Sequence, residues 1–125
     1  MSSKYKKVKI SKGYKGWGGP LVIEPNDNRN VICSVTGGGI HPIAQKVADL
    51  TGAVVEDGFK RGVPFDKIAL VVIDCGGTAR VGVYPMKRVP TVDIYPTSPT
   101  GPLAQFITAD IFVSGVKEEN IELVD

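Results

Sequence analysis

The chain has 125 residues, 42% apolar and 22% charged, with a net charge of +2. That is about one domain, and a domain of this size buries roughly two-thirds of the surface its unfolded chain exposes. The longest apolar run, Ile68 to Ile73, falls far short of the roughly 20 residues a membrane-spanning helix needs.

Lys4, Lys6, Lys7, Lys9, Lys12 and Lys15 make the N-terminus basic, but no apolar segment follows to make a signal peptide. The expected location is the cytoplasm. No basic helix or aromatic platform accompanies the lysines, so nucleic acid is not an expected partner. Cys33 and Cys75 form no Cys-x-x-Cys pair and His41 is the single histidine, a composition that argues against a metal site. Their spacing permits a disulfide, although small disulfide scaffolds usually carry more cysteines and less core.

In chain order, residues 4 to 11 alternate as a strand whose lysines suit a sheet edge with one wet face. "GYKGWGGP" reads as a glycine loop, in which Trp17 suits either a partner surface or the covering of a sheet edge. Short strands follow at Leu21 to Glu24 and Asn30 to Val35. After "TGGG", Pro42 fits a first helical position, Ile43, Val47 and Leu50 share a face, and Gly52 lies past the end. His41 is expected to be a capping or surface residue, and Cys33 a packed core thiol.

Further strands are expected at Ala53 to Glu56, Ile68 to Ile73, Arg80 to Tyr84 and Thr91 to Tyr95. Ile68 to Ile73 should be central and buried on both faces. Pro102 should open a second helix carrying Leu103, Phe106 and Ile107 on one face, and a strand at Ile121 to Val124 closes the chain. This order predicts a single α/β or α+β domain over residues 1–125, a mixed sheet packed with two main helices.

"IALVVIDCGGTAR" places a thiol, Cys75, just past the end of the central strand, where open α/β sheets tend to bind ligands. Gly76 and Gly77 can turn successive N–H groups around an anion. Thr78 adds a hydroxyl, and Arg80 a charged fork able to hold phosphoryl oxygens. The same donors favour thiolate over thiol, whereas Asp74 would oppose this if it faced the sulfur. Pattern alone leaves open a buried cysteine followed by an ordinary glycine turn. Lys87 and Arg88, beyond a strand, suit an acidic partner or plain solvation.

Five segments, "GWGGPL", "LTG", "DGFKRG", "VIDCGGTARVGVYPMKR" and "SPTGPLAQFITADIFVSGVKEENI", resemble the glucitol/sorbitol-specific enzyme IIB domain of the bacterial phosphotransferase system. The likeness runs in order from about Ile10 to Ile121. It implies that Cys75 receives a phosphoryl group from a phosphohistidine of enzyme IIA and passes it to sorbitol (glucitol) held by the membrane IIC component. It also implies work at the inner face of the cell membrane, without a cofactor. In this family the domain is usually the front of a longer polypeptide, so the chain is expected to be an excised domain or a free-standing subunit. Alternatives on the residues alone are a phosphatase-like or rhodanese-like thiol enzyme and a noncatalytic sugar-phosphate-binding module. Against the first, four residues separate Cys75 from Arg80, one fewer than in the usual cysteine phosphatase loop.

Overall fold

The computed structural model describes residues 5–36, 39–58, 62–74, 83–98 and 104–124. Alternation of apolar and polar side chains sets the first strand, β1 (Lys7–Ile10), with Val8 and Ile10 fully buried and the lysines half-exposed. It pairs antiparallel with β2 (Leu21–Ile23) on one side and with β8 (Ile121–Val124) on the other. Its wet face is as expected, but the strand is the middle of its three-stranded sheet, not an edge. The second partner lies more than a hundred residues away, which no local pattern reveals.

The second sheet is parallel and five-stranded, and its strands are β3 (Val31–Val35), β4 (Val54–Asp57), β5 (Ile68–Ile73), β6 (Thr91–Asp93) and β7 (Phe112–Ser114). Their order in space is β4-β3-β5-β6-β7. Every residue of β5 is buried and the strand lies at the centre of the order, as its unbroken apolar run requires. Parallel and antiparallel pairing thus both occur, divided between two sheets.

Helix α1 (Pro42–Thr51) connects β3 to β4. Proline at its start needs no amide partner, and Ile43, Ala44, Val47 and Ala48 form its buried face. Gly52 stops it in the left-handed region at φ 86°, its N–H donating to the Ala48 carbonyl at 2.8 Å.

Successive residues of β5 face opposite ways. Leu70 and Val72 join α1 and the three-stranded sheet in one core, while Val71 and Ile73 join Cys33, Val89, Ile111 and Phe112 in another. Tyr84, from the short helix α2 (Val83–Met86), packs on the second core and meets the Phe65 ring edge-on at 5.8 Å. The two helices therefore serve opposite faces of the parallel sheet, and the layering is α/β.

Two local expectations are corrected. In the strand expected at Arg80 to Tyr84, the described residues Val83 and Tyr84 begin α2 instead; Pro85 would deny a strand its ladder donor but fits a first helical turn. The helix expected from Pro102 is, in its described part, a 3-10 turn at Ala104–Phe106, followed by the unforeseen strand β7. Ile107 and Phe112 are both buried, Phe112 in β7 and Ile107 in the irregular segment after the 3-10 turn.

The glycine loop before β2 seals the free side of β7. Trp17 accepts at its carbonyl from Ser114 N (2.9 Å) and donates its own N–H to Ser114 Oγ (2.9 Å). Gly18 bridges Val113 and the Gly19 N–H reaches the Phe112 carbonyl at 3.0 Å. Gly18 has φ 85°, and a Cβ there would overlap the Phe112 carbonyl. Trp17, half-buried, lies against the Phe112 ring at 6.3 Å. Of the two roles considered for it, covering the sheet edge is the one observed.

Candidate functional site

From β3 the chain moves to one side to form β4, then returns past β3 to form β5 and continues the other way through β6 and β7. Connections leaving β3 and β5 therefore diverge. Such a reversal opens a crevice outside the carboxyl ends of the two strands, the usual ligand position in open parallel sheets. Val35 ends β3 beside Ile73, which ends β5.

The described residues of the turn from β3 into α1 lie at this end of the sheet. Ser34 is fully buried, and its Oγ accepts from the His41 N–H at 3.0 Å. Thr36 Oγ1 donates to the Gly39 carbonyl at 2.9 Å, with Ser34 Oγ at 3.4 Å from the same oxygen. The buried Ser34 hydroxyl and the half-buried Thr36 hydroxyl thus tie the turn to the end of β3, and an unpaired hydroxyl at Ser34 would cost free energy.

His41 then caps the helix: its Nδ1 accepts from the Ile43 N–H at 3.1 Å. An accepting Nδ1 carries no proton, so in the neutral ring the N–H is at Nε2. The capping role agrees with expectation. Its place at this end of the sheet follows from strand order and could not be read from the sequence.

Carboxylates stand along the same sheet end: Asp57 closes β4, Asp74 follows β5 and Asp93 closes β6. Asp93 is fully buried level with Ile73, and its Oδ1 accepts from the Tyr95 N–H at 3.0 Å.

Cys75, Gly76, Gly77, Thr78 and Arg80 lie outside the described residues. What the described chain fixes is their point of departure: Ile73, buried at the end of the central strand, and half-buried Asp74. Cys33 is a free thiol, buried opposite Glu56. Burial pushes it up to about 11, with Asp57 and then Glu56 adding to the rise. It remains a neutral core thiol, as expected.

Lys87 and Arg88 are exposed beyond α2. Arg88 pairs with Asp110 at 3.4 Å and borders a cavity of about 260 Å³ at the opposite end of the sheet, floored by Ala69 and Pro90. Arg29 borders it too, with Nη1 donating to the Ile68 carbonyl at 3.2 Å. Glu24 lines the same cavity.

Among the described residues, no helix is long and apolar enough to cross a membrane. A family model described as the sorbitol phosphotransferase enzyme II N-terminus matches residues 7–125. A protein of Clostridium beijerinckii described as "PTS system glucitol/sorbitol-specific EIIB component" is 49% identical over 123 residues, covering 98% of this chain and 37% of that protein. The chain therefore spans little more than a third of that relative's length. No solved structure matches it. With its family model covering all but the first six residues, the chain belongs to the sorbitol phosphotransferase enzyme II N-terminus family.

Proposed function

We propose that residues 1–125 act as one enzyme IIB domain of a glucitol/sorbitol phosphotransferase system, carrying a phosphoryl group on Cys75. The observation that carries this reading is the position of Cys75 in sequence, two residues past the end of the central strand, whose carboxyl end borders the crevice at the reversal of strand order. The 49% identical relative described as a glucitol/sorbitol-specific EIIB component supports the sugar system.

In the reaction, the Cys75 sulfur attacks the phosphorus of a phosphohistidine on enzyme IIA. The S–P bond forms as the P–N bond breaks, and the thiol's proton ends on the departing imidazole. Gly76, Gly77 and Thr78 N–H groups and the Arg80 guanidinium take up charge on the equatorial oxygens. Onward transfer reverses the logic: a hydroxyl oxygen of sorbitol, held by the membrane IIC component, attacks the same phosphorus, the O–P bond forms as the S–P bond breaks, and the hydroxyl proton ends on the departing sulfur. The cradle must therefore hold the phosphocysteine loosely enough to release it, since binding ground and transition states equally would not speed transfer. The site of work is the inner face of the membrane.

Incubation with labelled phosphoenolpyruvate, the general phosphotransferase proteins and glucitol/sorbitol-specific IIA should place one phosphoryl group on the Cys75 peptide, located by mass spectrometry. Cys75→Ser labelled at the wild-type level would refute the assignment. Turnover of an aryl phosphate, or of thiosulfate with cyanide, would point instead to a free-standing thiol enzyme. Heat on titration with sorbitol phosphate would point to a binding module.

A further inference from the structure

We propose that the cavity bordered by Arg29 and Arg88 binds a small phosphate monoester whose hydroxyls donate to Glu24. The site is separate from the phosphocarrier reading and does not depend on it. It lies at the amino ends of β5 and β6, where Arg29, Arg88, Glu24, Val22, Ala69 and Pro90 line about 260 Å³. That is below the roughly 300–1,000 Å³ of drug-sized sites and suits a compact ligand.

Arg29 is held firmly without a counter-ion. Asn26 fixes its backbone: the Asn26 Oδ1 accepts from the Arg29 N–H at 2.8 Å, and the Asn26 N–H donates to the Arg29 carbonyl at 2.9 Å. The half-buried side chain uses an N–H on the Ile68 carbonyl at 3.2 Å, which leaves most of a guanidinium's donors for a ligand. Among the described residues it forms no salt bridge. A half-buried cation that meets only a neutral carbonyl is stabilised by an anion brought to it.

Arg88 stands where glycine would fit better. It follows α2 in the left-handed region at φ 59°. Its N–H donates to the Pro85 carbonyl and the Val89 N–H to the Tyr84 carbonyl, a helix ending that glycine usually supplies. An arginine at such a position points to a use for its side chain, since its backbone disfavours it. Its pair with Asp110, 3.4 Å apart with both side chains mostly exposed, is weak, so a doubly charged oxyanion can displace it.

Glu24 gives the cavity a polarity. It also borders a second cavity, of about 360 Å³, lined by Tyr5, Lys6 and Lys7, so it stands at one edge of the first. A carboxylate repels a dianion but accepts from hydroxyls. Two arginines and one carboxylate therefore suit a phosphate with a hydroxyl-bearing remainder better than free phosphate.

Glycerol 1-phosphate is the probe, with inorganic phosphate and glycerol beside it, followed by NMR through the amide resonances of Arg29, Ala69 and Arg88. The monoester should shift them saturably in the millimolar range or below, inorganic phosphate should bind several-fold more weakly, and glycerol should do nothing. Arg29→Gln should weaken binding about tenfold or more. Arg88→Gly should weaken it as much while melting no lower than wild type, because glycine suits that backbone. Lys46→Gln, which removes a cation of α1 outside the cavity, should leave the affinity within about twofold. No saturable shift, unchanged binding in either arginine variant, or equal weakening by Lys46→Gln overturns the proposal. Inorganic phosphate bound as tightly as the monoester overturns the choice of a monoester and the role of Glu24. Label on Cys75 tests the carrier reading separately, and neither result decides the other.

Discussion

Burial decides the prospects of Cys33. The Cys33 thiol, raised from 9.0 to about 11 mainly by desolvation, keeps its proton at any physiological pH and should resist thiol reagents until the protein unfolds. The raised value also makes stability depend on pH. Below pH 9 both folded and unfolded states hold the proton and the contribution is complete. Between pH 9 and about 11 the unfolded chain releases it first, so about 2–3 kcal/mol of stability is lost with rising pH. Urea midpoints at pH 8 and 10.5 should show a steeper alkaline loss for wild type than for Cys33→Ala, since only the former carries this titration. Cys33 was legible as a core thiol because it sits in an apolar run. Cys75 was nominated for chemistry from its glycine neighbours and lies outside the described residues, whereas the turn around His41 needed the strand order, which sequence spacing does not encode.

At the scale of elements, the glycine loop shows why a cluster of small residues need not mean a binding site. Gly18 combines a positive φ with direct contact on the Phe112 carbonyl, so the loop can hydrogen-bond along β7 only without a side chain there. Gly18→Ala should cost about 2 kcal/mol or more, from backbone strain and displacement of the edge cover. Thermal melting of the variant checks this. Helix α1 and β5 were legible to within a residue because their apolar periods are long and their ends carry proline and glycine. Strand β7 was not, since three buried residues between turns look the same in a helix or a strand. Nor was the central place of β1, which depends on a partner from the other end of the chain.

For the whole molecule, the parallel sheet separates two cores and carries a helix on each face. Among the described residues Phe112 is the largest fully buried side chain, and it joins β7, the Trp17 loop and the second core. Phe112→Ala should therefore cost about 3–5 kcal/mol, a large share of the roughly 5–15 kcal/mol by which such domains are stable. Chemical denaturation measures it, and a loss below about 1 kcal/mol would mean that the loop and core do not act as one unit. The α/β layering itself was legible, because helical and strand periods alternate along the chain.

The antiparallel pairing of β1 with β8 sets Lys7 opposite Val124 and Ile10 opposite Ile121. The first and last strands of these 125 residues are thus stitched side by side, and the fold is topologically close to a ring. A short linker joining them should leave the backbone free to be opened elsewhere. The exposed turn in which Asn26 Oδ1 accepts from the Asn28 and Arg29 N–H groups, both at 2.8 Å, is a suitable cut. A circular permutant starting there should fold and melt cooperatively, while trimming β8 from the unpermuted 125 residues should not spare the sheet.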